Sequence, residues 1–420
     1  MTTLPPTSAQ ENLDGTSEED ILIVYGNQES DTSGLIELAD MRRDFQPWHH
    51  PVKQIVREHQ LAALTKRLLK KQAKQPDVLK YFTLPGTDLL DIRVLAETCE
   101  PLGVQIEYFG FDARGKEPSG QDAHTTSHLR EGSWVTAESA LRQAGRITAE
   151  AVIHADRLED IAVPNSHASI QLSQRSAFDV INIDACDHLA YSSKGRQRNI
   201  FDALEVLLRH QMKARSPWLL FITTRAEPAL LGAPGLVFQD AITQNLRIPE
   251  SGFAASLAAC IEANERTLAS ELASAWVTHD ERFLKLYSVG LGKFLLQFFH
   301  AQPNLPAHVE LASAYAYRIY GDEPDMLSLA FRITPDEERV FAPSVGGVGA
   351  VIPMLEAKRA VQVASQAMKL KDLDKQLESD TAVREIAING IKALLQSARY
   401  DIAEWQNWLA SHEQRPVVLS

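Results

Sequence analysis

The stretch Val78-Leu79-Lys80-Tyr81-Phe82-Thr83-Leu84-Pro85-Gly86-Thr87-Asp88-Leu89-Leu90-Asp91-Ile92-Arg93 constrains this chain most. A short run of apolar, β-branched and aromatic residues stops at Pro85-Gly86, and apolar residues at helical spacing follow at Leu89, Leu90, Ile92, Val94 and Leu95. The pattern predicts strand, tight turn, helix. At the carboxyl end of a parallel strand, such a turn leaves free backbone amides and a helix N-terminus beside a crevice. Open α/β sheets hold their ligands there.

The same alternation recurs downstream. Glu100-Pro101-Leu102-Gly103 closes the first helix with glycine where a left-handed backbone is needed. Residues 104–111 read as a second strand running into Asp112, 149–154 as a third followed by Ala155-Asp156, 178–184 as a fourth ending on Asp184, and 216–224 as a fifth. Near-continuous hydrophobicity in these strands indicates burial on both faces of a parallel sheet. Between them, Thr136 is placed to cap a helix through Gln143 that Gly145 ends, and Ile200, Leu204, Leu207, Leu208 and Met212 share one side of a helix over 199–213. Residues 113–133, rich in Gly, Ser, His and charge, read as an insertion on the side where a ligand would enter.

Residues 254–300 are helical by period. Two alternating segments, 309–320 and 326–334, flank Gly321-Asp322-Glu323-Pro324-Asp325 and predict an antiparallel hairpin. The glycines of 343–349 lack the spacing of a dinucleotide fingerprint and read as a linker, and from 352 onward the pattern is helical. The expected fold class is therefore α/β: a doubly wound, mostly parallel sheet with a C-terminal antiparallel hairpin, plus a helical C-terminal appendage. The expected division is a disordered tail over 1–19, an N-terminal extension with a basic helix over 20–77, the sheet domain over 78–335, a linker over 336–351 and the appendage over 352–420.

With 420 residues and a formal net charge of -13, the chain is poorly suited to coating nucleic acid without specificity. A local basic face is nevertheless expected. After Pro47-Trp48-His49-His50-Pro51, the helix over 52–74 combines an apolar stripe (Val52, Ile55, Val56, Leu61, Leu64, Leu68, Leu69) with many Lys and Arg residues. That face is read as solvated, or as a contact to an acidic or phosphate-bearing partner such as nucleic acid. The C-terminal helices are the expected surface for a protein partner or a second copy. Cys99, Cys186 and Cys260 lie far apart, suggesting neither a disulfide framework nor a zinc site. With no signal-like N-terminus and no apolar run long enough for a bilayer, a cytoplasmic location without membrane contact is expected.

Taken together, the order of these features resembles a class I (Rossmann-like) S-adenosylmethionine-dependent methyltransferase over about residues 45–335. The resemblance implies S-adenosylmethionine as cofactor. Its methionine part would be wrapped by the first loop, here Leu84, Pro85, Gly86 and Asp88, with Asp112 on the ribose hydroxyls and Asp156 on the adenine amino group. It also implies a catalytic or substrate-facing position after the fourth strand, matched by Asp184-Ala185-Cys186-Asp187, with Asp184 and Asp187 as the candidate catalytic residues. A carboxylate can accept both ribose hydroxyls, which gives Asp112 a mechanism. No metal is implied.

The chain departs from the family pattern in its first loop, which has one glycine where two or three are usual. It also lacks the Asn/Asp-Pro-Pro-aromatic run of amino methyltransferases. Thr223-Thr224-Arg225 stands where catechol-type enzymes place metal-binding acids, and no proline precedes Cys186. A basic helix ahead of an unusual first loop also resembles the three-Cys-motif partner proteins, a methyltransferase-like group, which implies His49, His50 and Lys53 near the cofactor. Each strand-end Asp is read equally as a helix cap, so a catalytically silent scaffold stays open beside the enzyme. A nicotinamide oxidoreductase is disfavoured, because no GxGxxG follows the first strand.

Overall fold

The computed structural model describes residues 41–412 apart from 73, 87, 113–132, 186, 194, 301–306 and 337–350. The expected tail over 1–19, most of the insertion over 113–133, Cys186 and the glycine run over 343–349 therefore lie outside the described residues.

Eight strands form one sheet in the order β3-β2-β1-β4-β5-β7-β6-β8. They are β1 (Val78–Thr83), β2 (Gln105–Phe111), β3 (Val152–His154), β4 (Val180–Asp184), β5 (Trp218–Arg225), β6 (Ala307–Tyr317), β7 (Met326–Pro335) and β8 (Lys371–Asp372). The first five run parallel, and the β6–β7 hairpin adds antiparallel to β5, Trp218 facing Ile333 and Arg225 facing Met326. Strand order reverses between β1 and β4, where Tyr81 pairs with Val180. That reversal opens a crevice at the carboxyl ends of both strands.

Alternate side chains explain the double winding. Leu79 and Tyr81 of β1 join Ile106 and Tyr108 of β2 in a core closed by the helix Leu90–Cys99. Phe82, Phe109, Ile181 and Ile183 face the other way, against the helices Ile200–Gln211 and Glu281–His300. Asn199 caps the former with a reciprocal Asp202 contact, 2.8 Å and 3.0 Å.

Four details differ from the sequence reading. The third strand is three residues rather than six, because Arg142 donates to the carbonyls of Thr148 and Ala151 at 2.7 Å and 3.2 Å and draws that segment out of the ladder. Thr136 is inside the helix Ser133–Gln143 instead of capping it, since Trp134 packs against the core and extends the helix by a turn. The helix Gly232–Leu246 was not anticipated: Gly232, Pro234 and Gly235 punctuate a sequence, yet all stand in its first turn, where proline is tolerated. Finally, Lys371–Asp372 contributes a short strand within the helical tail.

The expected basic helix is three helical segments: Pro51–Ile55, a π-helical stretch Val56–Ala62, and Ala63–Lys71. Only its last turns carry an exposed basic face, at Lys66, Arg67, Lys70 and Lys71. Further back, Lys53, Gln54, Arg57 and Gln60 are buried. The C-terminal helix Thr381–Ser397 packs on Pro51–Ile55, and Val351–Ala367 packs on Glu281–His300 and β6, so Arg43–Ser420 is one compact unit. No described helix is long and apolar enough to cross a membrane.

Candidate cofactor crevice

The crevice at the β1/β4 reversal holds a cavity of about 380 Å³. Its floor is the loop after β1. Pro85 lies flat on β2 because Gly110 has no side chain: a Cβ there would sit 2.9 Å from Pro85 Cδ and 2.9 Å from the Thr83 carbonyl oxygen. The close approach of this loop to β2 is thus supplied by a glycine on the neighbouring strand. Gly86 has open space where its Cβ would be. The loop ends on Leu89, a non-glycine residue at φ 53°, and this left-handed turn starts the helix Leu90–Cys99 with no side-chain cap. Such backbone is strained by roughly 1–2 kcal/mol. It leaves the first amides of a helix beside the cavity, a natural seat for an anionic group.

Leu84, Pro85, Gly86, Asp88, Asp112, Asp156 and Asp184, from the ends of four strands, all line this one cavity. Asp187 does not. Its carbonyl accepts from Thr224 Oγ1 at 3.0 Å and from the Arg225 amide at 3.1 Å, and its carboxylate accepts from the His188 amide at 2.8 Å, so it ties the loop after β4 to β5. The Asp112 amide donates to the His154 carbonyl at 3.0 Å, fixing the end of β2 against β3. Asp156 is 4% exposed and accepts from His167 Nδ1 at 2.6 Å. His154, Asp156 and His167 bring one potential ligand atom each within 4.8 Å of one another. Burial, then His167, holds the His154 imidazole below its ordinary range.

Several further side chains stand at the site outside the strand-end pattern, Lys53 among them expected there only from the second resemblance. Lys53 forms an ion pair with Asp184 Oδ2, and its Nζ is 3.5 Å from the Tyr317 hydroxyl. Arg57 donates to Asp91 Oδ1 at 2.7 Å and to the Trp48 carbonyl at 3.0 Å, while Asn182 donates to Asp91 Oδ2 at 3.0 Å and to the Tyr81 hydroxyl at 3.1 Å. Burial, then Asp91, pushes the Tyr81 phenol up, so it stays protonated. The π-helical turn makes this network possible. Its wider turn presents Val56, Arg57, Gln60 and Leu61 together with Lys53 to one small hollow under the sheet ends, a broader face than an α-helix offers.

The resemblance that placed His49, His50 and Lys53 near the cofactor meets the structure unevenly. Lys53 reaches Asp184 as described. His49 is buried with Nε2 3.9 Å from Asp88 Oδ2, and Tyr400 donates to the same oxygen at 2.6 Å. Because His49 Nδ1 accepts the Gln46 amide at 3.0 Å, the neutral ring carries its proton on Nε2, facing Asp88. His50 instead caps Pro51–Ile55, its Nδ1 accepting from the Val52 amide at 3.3 Å.

Among the described residues, Asp88, Asp91, Asp112, Asp156, Glu159 and Asp184 line the cavity against Arg57 and Arg157. Even after the Arg57–Asp91 and Lys53–Asp184 pairs are set aside, the walls are negative. They favour a ligand with positive charge and hydroxyl groups.

A family model described as PP_RS20740-like matches residues 42–410. Among solved structures, one described as a candidate class I S-adenosylmethionine-dependent methyltransferase of Listeria monocytogenes is similar, with 12% identity and a TM-score of 0.35 over 86% of this chain and 77% of that chain. Curated protein sequences give no match.

Proposed function

The chain belongs to the PP_RS20740-like family, and we propose that its crevice binds S-adenosylmethionine and that the protein is a methyltransferase. The observation that supports this most is the convergence of seven residues, from the ends of β1, β2, β3 and β4, on one cavity of about 380 Å³ at the strand-order reversal. That volume is within the range of small-ligand sites, about 300–1,000 Å³. The donor set fits the cofactor. Asp112 can accept two ribose hydroxyls, and Asp156 can accept the adenine amine beside its His167 contact. The uncapped helix N-terminus suits the methionine carboxylate, and the negative walls suit the ammonium and sulfonium.

When bound, S-adenosylmethionine supplies an electrophilic methyl group on a positive sulfur. The protein's own work is then positioning and proton removal. Asp184 stands at the end of β4 as the carboxylate that receives the acceptor's proton. Lys53 fixes its orientation through Oδ2, while Oδ1 is buried and meets no hydrogen-bond partner among the described residues.

Calorimetric titration with S-adenosylmethionine and S-adenosylhomocysteine tests the reading. Micromolar binding, weakened at least tenfold by Asp112→Ala, supports it. No heat with the wild type contradicts it.

One observation favours a second reading, a scaffold that binds partners. Lys66, Arg67, Lys70 and Lys71 form an exposed basic face on Ala63–Lys71. Reversing these four charges should abolish co-purification of a nucleic acid or protein partner if that face docks one, and leave it unchanged if the face is only solvated. A protein partner or second copy at the C-terminal helices belongs to the same reading.

A further inference from the structure

Beside the crevice, on the side of the β6–β7 hairpin, is a second hollow of about 70 Å³, lined by Pro47, Trp48, Tyr317, Ile319, Tyr320 and Met326 together with the polar Gln46, Lys53 and Asp184. Asp184 and Trp48 belong to both cavities, so the two meet at the candidate base. We propose that this hollow is the acceptor subsite and that it takes one uncharged aromatic ring bearing a hydroxyl or amino group. The proposal rests on the cofactor reading above and adds the class of substrate.

Size comes first. A water needs roughly 10–15 Å³ of such volume, so about 70 Å³ admits some five waters, the space of one six-membered ring. A peptide or a nucleotide can place no more than one ring or side chain in it. The walls come next: Trp48, Tyr317 and Tyr320 make three of the lining residues aromatic, and Pro47, Ile319 and Met326 offer aliphatic and thioether contact, which suits a ring more than a sugar. Arg225, which packs on Tyr320 at 4.1 Å, is also paired with Glu227.

Charge and hydrogen bonding then select the substituent. Lys53 and Asp184 neutralise each other, so the polar lining favours neither an anion nor a cation. Among the described residues the buried Asp184 Oδ1 meets no donor, and leaving it unmatched costs about 1–3 kcal/mol. A phenol or aniline supplies that donor on the atom that must be methylated. As the oxygen or nitrogen bonds to the methyl carbon and the carbon–sulfur bond breaks, the electron pair stays on sulfur and the acceptor's proton passes to Asp184. The sulfonium and the carboxylate both end neutral.

Fluorine NMR of 4-fluorophenol, with 4-fluorotoluene and 4-fluorobenzoate as controls, reads binding without turnover, and S-adenosylhomocysteine calorimetry is run on the same samples. The expected result is saturable broadening of 4-fluorophenol, at least tenfold weaker binding of both controls, and at least tenfold loss in Ile319→Trp, which fills the hollow, with S-adenosylhomocysteine binding kept. If Ile319→Trp loses S-adenosylhomocysteine binding, Tyr320→Ala removes a wall and gives the same comparison. The proposal is overturned if 4-fluorophenol fails to bind a wild type that binds S-adenosylhomocysteine, or binds both variants equally well. Fluorophenol binding without S-adenosylhomocysteine binding would sustain the hollow as a ring site and remove methyl transfer from it.

Discussion

Replacing Gly110 by alanine isolates the device that shapes the crevice. The added Cβ would lie 2.9 Å from both Pro85 Cδ and the Thr83 carbonyl oxygen, whereas ordinary contact begins near 3.4 Å. One of these atoms is main chain in β1, and the other belongs to a ring that cannot rotate away, so the loop after β1 must shift by about half an ångström. Overpacking of this kind costs roughly 1–3 kcal/mol. For a unit of this size, that corresponds to a fall in Tm of about 1–4 °C.

Because the displaced loop is the floor of the proposed cofactor crevice, S-adenosylhomocysteine affinity should fall at least tenfold as well. Gly86→Ala is the matched control: its Cβ meets nothing within 4 Å and its φ is not in the left-handed region. Its stability should change by less than about 0.5 kcal/mol. Thermal unfolding and calorimetry on both variants decide the matter. A Gly110→Ala protein with wild-type Tm and wild-type affinity would refute the account of the loop.

Further predictions concern the rest of the fold. Lys293 and Glu356 form an ion pair with side-chain exposures of 0% and 8%, and burial pulls the Lys293 ammonium down despite its partner. Lys293→Ala should therefore cost about 3–5 kcal/mol in denaturant unfolding, with much of it restored in Lys293→Met/Glu356→Leu. His300 Nε2 accepts from Arg359 Nη1 at 3.2 Å, and burial, then that guanidinium, holds its imidazole down to about 4. Its folded pKa lies below its unfolded one, near 6.5, so the stability it contributes is present above about pH 6.5 and is lost as pH falls through 4. This amounts to about 2–3 kcal/mol, and His300→Gln should flatten that slope in pH-dependent unfolding. Burial raises the Cys99 and Cys260 thiols to about 12, so neither should react with a thiol reagent at neutral pH while the protein is folded.

The sheet was legible because its signals are local. Continuous apolar runs announced β1, β2, β4 and β5, and Gly321 to Asp325 announced the hairpin, whose turn Asp325 holds by accepting from the Ile319 and Tyr320 amides at 2.9 Å and 2.6 Å. The strand-end carboxylates were legible for the same reason. What stayed hidden depends on partners distant in sequence. Lys53 was placed near the cofactor only by a resemblance, and Arg57 read as part of a solvated or partner-binding face, because the carboxylates they pair with stand 131 and 34 residues away. The single glycine of the first loop read as a deficit, because the compensating Gly110 is on another strand. The two-residue β8 carries too little pattern to be seen at all.

Hydrogen exchange with and without S-adenosylhomocysteine tests most directly whether the ends of β1 to β4 share one nucleoside site. The account predicts protection in peptides spanning 84–92, 111–112, 156–159 and 184–193, and none in the exposed end of Ala63–Lys71. Protection confined to the C-terminal helices, or absent throughout at saturating ligand, would contradict it.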